Sequence, residues 1–462
     1  YVLLVPRTLG AEVYGQLSFA FALIVLFQML GELGYQEIFS RYLPEVRQRG
    51  GEAGIRAMVH ALFGVKALAG LGLGLAAALS ARLIAAWLTP AQAWLIGLSV
   101  AARVWALAPF PLLLGLGETL KWSVETTWRQ IVVTALTLAL VRTPSLTLAL
   151  LATGLHEVVF LLAGLWWVRG WIGGQKLEVR SQKVTNLTSD LRPPTSSLLR
   201  FGLTFSLANY ALVVMFRISL IVVEKLTGSH PEVGFFDLAL GGLLLIYTFL
   251  GQVAYAFVPI LTQLHLDQRE AEVEIWLGRF VRYAALTVGL SVGGMWALAG
   301  PATPLLFGAG FAPAADTIRA IAVGLLPLPI AWAGVTLSAV EKHPLRKVRA
   351  ALLSLGLFLA AALALRGYQA SGIALAFGLA LVGYAVGYGR SALRAVRAGG
   401  TGWAVALGAT TLFTPFLFFS FSSLFLALAA WAGLAFIYLL LNLALRVIRL
   451  DELQQMARAL RR

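Results

Sequence analysis

The sequence predicts an all-α polytopic membrane protein with about fourteen transmembrane helices, the first of them truncated. Hydrophobic residues make up 59% of the 462 positions and charged residues only 12%, whereas soluble domains carry about 25% charged residues. Apolar stretches of about 20 residues recur along the chain, and each is long enough to cross a bilayer core as a helix. These stretches lack the alternation of a barrel strand, so helices are the remaining way to span the membrane.

The predicted helices follow one another with short connections. Residues 1–6 are typical of the end of a truncated first helix, and thirteen further helices follow it. Their predicted ranges are 12–39, 57–88, 92–115, 122–141, 146–168, 201–225, 233–259, 280–300, 316–340, 348–366, 371–390, 402–419 and 421–447. The last boundary depends on a turn at Ser420, Ser422 and Ser423.

The basic residues separate by side of the membrane. When the loop after the second helix is assigned to the inside, 26 of the 36 Lys and Arg residues lie inside and six outside. This asymmetry follows the positive-inside rule, so it supports the helix count and places the basic loops and the C-terminus in the cytoplasm. The net charge of +15 is thereby explained without nucleic acid. Residues 446–462 are predicted to form a basic amphipathic helix on the anionic inner surface.

An internal repeat indicates two related halves. Gly15 and Gly234 are 219 residues apart, and each lies near the start of a long apolar helix. This pairs the second helix with the eighth, and an even offset preserves orientation, so the halves are parallel repeats. The polar segment around Pro193-Pro194 separates them. The predicted organisation is helices 1–6 in 1–170, a cytoplasmic linker in 171–199, helices 7–12 in 200–390, and two extra helices with the basic tail in 391–462.

Four basic residues fall inside predicted spans: Arg103, Arg129, Arg217 and Lys66. An ionisable group at mid-membrane costs about 2.5–3.5 kcal/mol, so each should face protein or water. Arg offers planar paired donors that suit phosphate oxygens, so we predict contacts to an anionic head group. The alternative is structural ion pairing. It is strongest for Arg129, because Glu125 precedes it by four residues, while Lys66 can snorkel towards the cytoplasm.

The acidic candidates are Glu32, Glu125, Glu157 and Asp237, and His156 stands beside Glu157. Carboxylates in a membrane cavity can carry a proton or coordinate sodium, so H⁺ or Na⁺ is a candidate coupling ion. Histidine titrates near neutral pH. For Glu32 and Asp237 the favoured interpretation is that they lock helix ends or pair with arginines.

Prolines interrupt spans four and ten at comparable positions. These are Pro109 and Pro111 in one half and Pro327 and Pro329 in the other. Paired interruptions are typical of bending helices beside a transport path, so they are candidate hinges. Trp332 is deep in its span and could line a cavity, although ordinary packing is favoured.

Several stretches resemble a known family. Arg7-Thr8-Leu9-Gly10, Tyr14-Gly15, Gly31-Glu32-Leu33-Gly34 and Arg41-Tyr42-Leu43-Pro44-Glu45 look like the opening of Wzx-type bacterial polysaccharide flippases, which handle O-antigen and related lipid-linked oligosaccharides. Leu199-Arg200-Phe201-Gly202 agrees in the second half. The superfamily also holds the multidrug extruders and the lipid II flippases. Fourteen helices match the lipid II branch, whereas many polysaccharide flippases have twelve.

The resemblance implies two six-helix lobes around a central cavity that opens alternately to each side of the bacterial cytoplasmic membrane. The implied substrate is an undecaprenyl-diphosphate-linked oligosaccharide, moved from the inner to the outer leaflet by an ion gradient or the membrane potential. Other implied partners are anionic membrane lipids and polysaccharide assembly proteins. No cofactor or metal is expected beyond the coupling ion, and the chain has no cysteine.

Three other functions remain open. A multidrug extruder of the same fold should have an acidic cavity for organic cations, whereas the arginines here favour an anionic substrate. A lipid II flippase shares the predicted architecture. A membrane polymerase or glycosyltransferase is least favoured, because no long external loop or loop carboxylate motif is visible. No Walker loop, histidine cluster or nucleophile elbow is present either, so a transporter is predicted rather than an enzyme.

Overall fold

The computed structural model describes residues 3–172, 195–341, 345–419 and 423–449, and the single residues 343, 421 and 452. Within this part of the chain all regular structure is helical: sixteen α-helices and four short 3₁₀ segments, with no strand. The predicted all-α membrane fold is confirmed. The chain divides into two compact units, Tyr1–Ile218 and Ser219–Arg462.

The first unit contains six complete helices and most of a seventh. They are α1 (Leu4–Glu32), α2 (Tyr35–Ile84), α3 (Pro90–Ala106), α4 (Pro109–Gly115), α5 (Thr119–Leu140), α6 (Leu146–Ile172) and α7 (Thr195–Thr227). The boundary between the units falls inside α7. The predicted linker 171–199 lies largely outside the described residues, and the predicted lobe boundaries stay predictions.

The second unit contains the remaining nine α-helices of the described chain. They are α8 (His230–Leu266), α9 (Glu270–Phe307), α10 (Ala314–Ala322), α11 (Leu328–Val340), α12 (Leu345–Leu365), α13 (Gln369–Gly387), α14 (Arg390–Gly399), α15 (Gly402–Gly408) and α16 (Leu424–Ala444). The 3₁₀ segments are Ala309–Phe311, Val323–Leu325, Arg366–Tyr368 and Ala409–Leu417.

The described helices include eight that are long and apolar enough to cross a membrane, and up to nine if one bent pair counts as a single span. The chain is therefore a multi-pass membrane protein. The bent pair is Ala314–Leu325 with Leu328–Val340, which meet at 47°. Pro327 caps α11 and Pro329 lies in its first turn, while Pro109 begins α4 directly after α3 ends. The predicted proline interruptions thus coincide with helix breaks, and their use as hinges stays a prediction.

Helix ends differ from the predicted ones where glycine adopts a left-handed or extended conformation. The predicted gap between residues 6 and 12 is only a kink at Gly10 (φ 72°, ψ 167°) inside α1. The second predicted helix, 12–39, ends seven residues early at Glu32, because Leu33 and Gly34 both have positive φ. The region 402–419 is a short helix followed by a 3₁₀ segment around Pro415.

Of the three serines predicted to mark the turn before the last helix, Ser420 and Ser422 lie outside the described residues and Ser423 is described. Ser423 caps α16, and its side chain accepts a hydrogen bond from the Leu426 amide at 3.2 Å. Most of the predicted basic tail 446–462 lies outside the described residues. Glu452 is described: its carboxylate accepts two hydrogen bonds from Arg282 Nη2, each of 2.9 Å. The membrane-surface role of the tail stays a prediction.

Helices α3 and α6 run side by side in the same direction. The α3 N-terminus is fixed by a capping box between Thr89 and Gln92, with Pro90 at the first helical position. The Gln92 amide then donates to Thr147 Oγ1 near the start of α6 at 3.2 Å. Eleven residues further along α3 and ten along α6 stand Arg103 and Glu157. At 1.5 Å per residue both lie about 16 Å from this contact, near the middle of a roughly 30 Å hydrocarbon core.

Candidate functional site

A group of ionisable and polar side chains lies at this depth in the first unit. It consists of Gln28, Arg103, Arg129, His156 and Glu157, and is called the buried charge cluster below. The Glu157 carboxylate is its centre, with 3% of the side chain exposed. Oε1 accepts from Arg103 Nη1 at 2.8 Å, and Oε2 accepts from Arg129 Nη1. One carboxylate on α6 therefore links cations from α3 and α5.

Arg103 is held at two of its three guanidinium nitrogens. Besides the bond to Glu157, its Nε donates to Gln28 Oε1 of α1 at 2.8 Å. Nη2 makes no hydrogen bond to any residue that the structure describes, and the side chain keeps 20% of its surface exposed. Arg103 can thus donate to an incoming oxygen without leaving its fixed position.

His156 lies against the same carboxylate and is itself buried. Its Nδ1 is 2.5 Å from the Thr153 carbonyl oxygen, and its Nε2 is 3.0 Å from Glu157 Oε1. Both neighbours are acceptors, and an imidazole donates from both nitrogens only when it is protonated. The two contacts fix the orientation of the imidazole ring beside the carboxylate.

Arg129 is almost completely buried, with 7% of its side chain exposed. Its guanidinium also lies 4.9 Å from the centre of the Phe160 ring, a favourable cation–π contact. The sequence favoured pairing of Arg129 with Glu125, but the Glu125 side chain lies outside the described part of the structure. The described partner of Arg129 is Glu157, which is 28 residues away.

Lys66 of α2 contacts the backbone of Glu32 at the end of α1, one helical turn after Gln28 of the cluster. Lys66 is 1% exposed; its Nζ donates to the Glu32 backbone carbonyl at 3.2 Å and lies 4.1 Å from the centre of the Tyr35 ring. A cation at the last carbonyls of a helix is stabilised by the helix dipole. Lys66 also borders an apolar cavity of about 210 Å³ together with Trp105 and Leu165. This arrangement ties the end of α1 to α2.

Arg217 of α7 and Asp237 of α8 are not among the side chains that contact the Glu157 carboxylate. Arg217 is half-buried on α7, and it makes no hydrogen bond or ion pair with any described side chain. Its Nε atom is nevertheless buried and lacks a hydrogen-bond partner among those residues. Asp237 is half-buried near the start of α8 in the second unit. The structure therefore joins Arg103, Arg129, His156 and Glu157 into one site, and leaves Arg217 as a cation without a described counter-charge.

The second unit has an apolar groove between α8, α9 and α16. Its volume is about 400 Å³. The lining residues are Gly242, Leu245, Ile246, Thr287, Leu290, Ser291, Gly294, Met295 and Trp431. Glycines at two of these positions leave room between the helices, so a flexible hydrocarbon chain could occupy the space.

The net charge of the buried charge cluster is positive. With neutral imidazole, two guanidiniums face one carboxylate; with imidazolium, three cations do. Both oxygens of the carboxylate are already engaged by cations, so the cluster offers donors and positive charge and is poorly suited to bind a metal cation. Across the described residues, no group of three or more His, Cys, Asp and Glu side chains could hold a metal ion.

Gln28 was not predicted as a site residue. It is a buried amide in the apolar helix α1, and its Oε1 holds Arg103. The signal in the sequence is its polarity within a long apolar run, because buried polar groups in a membrane need partners. Which partner it meets depends on the packing of α1 against α3, which a single sequence does not show.

The fold was compared with known structures. The lipid II flippase MurJ in an inward closed conformation superposes with a TM-score of 0.68 at 12% identity, covering 96% of this chain and 95% of that one. An inward-facing multidrug resistance MATE family transporter of the MOP superfamily gives 0.62 at 14% identity, covering 87% and 96%. These are transporter folds, as predicted, and not those of enzymes.

The sequence comparisons match a smaller part of the chain than the structural comparisons do. No curated protein sequence matches the chain significantly. The family model described as "Polysaccharide biosynthesis protein" matches residues 1–265, which is more than half of the chain and includes the whole buried charge cluster. The protein therefore belongs to the polysaccharide biosynthesis protein family and has the fold of MOP-superfamily transporters.

Proposed function

We propose that this protein flips a lipid-diphosphate-linked oligosaccharide from the inner to the outer leaflet of the bacterial cytoplasmic membrane. The observation that carries the proposal is the net positive buried charge cluster at mid-membrane depth. Its one carboxylate is already engaged, while Arg103 keeps a free donor group. Such a site favours an anionic group over an organic cation, and a diphosphate has the oxygens that guanidinium recognises.

The proposed contacts to the diphosphate are Arg103, Arg129 and Arg217. Lys66 of α2, whose ammonium group lies at the C-terminal end of α1, is a fourth candidate. Arg103 is the strongest candidate, because its Nη2 is accessible and its position is fixed by Gln28 and Glu157. Undecaprenyl diphosphate is the proposed carrier, and the basic loops are assigned to the cytoplasm.

Replacing Arg103 with alanine should reduce transfer of a fluorescent undecaprenyl-diphosphate-linked oligosaccharide about 10- to 100-fold. One charge-assisted hydrogen bond to phosphate is worth about 1.5–3 kcal/mol, and each 1.4 kcal/mol is tenfold. Transfer between leaflets would be measured in proteoliposomes under a proton gradient, a sodium gradient and a membrane potential. Arg217→Ala should show a comparable loss.

The matched control is Arg142→Ala. Arg142 is exposed beyond the end of α5, and its side chain makes no hydrogen bond or ion pair with a described residue, so its loss should leave transfer unchanged. Full activity of well-folded Arg103→Ala and Arg217→Ala would refute the site but keep the flippase function. Wild-type protein that moves ethidium and no lipid would establish a multidrug extruder instead. Strict dependence on a stem peptide on the substrate would establish a lipid II flippase.

We further propose that the coupling ion is a proton carried by His156. The cationic surroundings of Glu157 disfavour sodium, whereas His156 faces two acceptors that hold a proton. The charged side chains in contact with the Glu157 carboxylate are Arg103 on α3 and Arg129 on α5. Binding of an anion beside Arg103 would stabilise the imidazolium, so substrate and proton would be linked through their charges.

Replacement of His156 by glutamine should uncouple transfer from the proton gradient. Wild-type transfer should change at least fivefold when the gradient is imposed or collapsed, and that of His156→Gln should change less than twofold. Leaflet transfer at fixed membrane potential, with sodium absent, checks this. If His156→Gln keeps the full response, the proton is carried elsewhere; if only sodium drives the wild type, proton coupling is refuted.

A further inference from the structure

An aromatic cluster lies in the second unit, far along the chain from the buried charge cluster. Trp332 of α11 is packed between two tyrosines of α8: its ring centre is 4.9 Å from that of Tyr247 and 5.6 Å from that of Tyr255. Gly251 makes room for the indole, because a Cβ there would lie 2.5 Å from Trp332 Cζ2. Trp332 is only 5% exposed, which agrees with the interpretation favoured from the sequence, that its side chain packs between helices.

The indole N–H of Trp332 sets it apart from other tryptophans. Trp105, Trp296 and Trp431 each donate to a backbone carbonyl, at 3.1, 3.0 and 3.4 Å. Trp332 Nε1 is buried and has no hydrogen-bond partner among the residues that the structure describes. Buried donors are satisfied in most proteins, so this N–H is a candidate to bind a ligand or a water molecule. Because this N–H can only donate, a ligand there must present an acceptor oxygen or nitrogen.

One exposed face of α8 next to the cluster carries three polar side chains together with Leu245 and Pro259. Thr248, Gln252 and Tyr255 follow at intervals of four and three residues, so they share a face of the helix. Tyr255 is 47% exposed, and the Gln252 amide makes no hydrogen bond with a described residue. An exposed amide within an apolar span is unfavourable against lipid, so this face should border water.

We propose that Trp332, Tyr247, Tyr255 and Gln252 form a subsite for the sugar residues of the transported lipid, an inference that rests on the proposed function. The C–H faces of sugar rings pack on aromatic rings, and sugar hydroxyls accept from the Trp332 N–H and exchange hydrogen bonds with the Gln252 amide. The four side chains carry no charge and present donors, so they suit a neutral polyhydroxyl ligand.

The test compares two fluorescent undecaprenyl-diphosphate lipids, one bearing a single N-acetylhexosamine and the other that sugar extended by two neutral hexoses. Trp332→Phe keeps an aromatic ring and removes the N–H, and Gln252→Leu removes the amide. Each variant should lower transfer of the trisaccharide lipid about tenfold and that of the monosaccharide lipid less than twofold. The matched control is Trp296→Phe, whose N–H already has a carbonyl partner; it should affect both lipids equally.

A second readout is binding of the free trisaccharide, measured by saturation-transfer NMR on the full chain. Contact signals in the wild type that are lost in Trp332→Phe would support the subsite even if no lipid is transferred, in which case the flippase function alone fails. Equal transfer of the trisaccharide lipid by wild type and both variants would overturn the subsite while leaving the flippase function intact. Unchanged contact signals in Trp332→Phe would overturn it as well.

Discussion

Replacement of Glu157 by glutamine is expected to abolish transfer and to lower the free energy of unfolding by about 3–5 kcal/mol, the usual effect of removing one partner of a buried ion pair. The substitution keeps the size of the side chain and removes only its charge. Arg103 and Arg129 would then face each other, and His156 would lose its anionic neighbour. Thermal unfolding in detergent and leaflet transfer in proteoliposomes measure the two effects.

A surface pair provides the control for this substitution. Glu52 lies 3.1 Å from Arg56, with 65% of the Glu52 side chain exposed. Exposed pairs contribute about 0–1 kcal/mol, so Glu52→Gln should change neither stability nor transfer measurably. Similar melting temperatures for Glu157→Gln and Glu52→Gln would show that Glu157 does not balance buried arginines.

A double variant separates charge balance from transport. Arg103→Gln combined with Glu157→Gln returns the net charge to its wild-type value, so part of the lost stability should be regained. Transfer should remain abolished, because the donor proposed to contact the diphosphate is absent. Recovery of transfer together with stability would mean that Arg103 serves the fold alone.

The sequence was sufficient to identify Arg103 and Glu157 as candidates but not to pair them. Ionisable residues in apolar spans need partners, and this identified both groups individually. The partner of Arg103 comes from a helix 54 residues away, so it depends on the relative depth of α3 and α6. One contact at this depth joins Gln92 and Thr147, two ordinary polar residues near helix starts.

Local reasoning was less successful at helix ends. Hydropathy places the long apolar runs correctly, because twenty apolar residues require a membrane. It does not show that Gly10 leaves α1 continuous with a kink, nor that Leu33 and Gly34 end it. Those outcomes depend on a positive φ at single residues. Glycine permits a positive φ but does not require one, so its presence in the sequence does not predict the outcome.

Two stretches that carry the family resemblance meet in the structure. Gly34 closes the motif at the end of α1, and Gly202 closes the motif in α7. A Cβ on Gly34 would lie 2.3 Å from the Gly202 carbonyl oxygen, and a Cβ on Gly202 would lie 2.3 Å from the Leu33 carbonyl oxygen. The two backbones therefore touch directly, and no side-chain rearrangement can relieve an added group.

Substitution of Gly34 or Gly202 should accordingly be among the most damaging single changes in the first unit. Gly34 also has φ of +68°, which costs about 1–2 kcal/mol for any residue with a Cβ. The clash with backbone adds at least the 1–3 kcal/mol typical of overpacking. We expect Gly34→Ala to lower the melting temperature strongly, and Gly34→Leu or Gly202→Leu to prevent recovery of monodisperse protein.

Two other glycines serve as controls for the loss of stability expected at Gly34. Gly51 has φ of +55° with nothing within 4 Å of an added Cβ, and Gly64 has open space around it inside α2. Gly51, with ψ of −152°, should show a backbone cost without a clash when it is replaced by alanine, and Gly64→Ala should be neutral or stabilising by about 0.5–1 kcal/mol. Melting temperatures should fall in the order Gly64→Ala, Gly51→Ala, Gly34→Ala. A melting temperature of Gly34→Ala as high as that of Gly64→Ala would mean that the backbone contact between α7 and the α1–α2 junction does not stabilise the protein, because position 34 combines that contact with a positive φ and position 64 has neither.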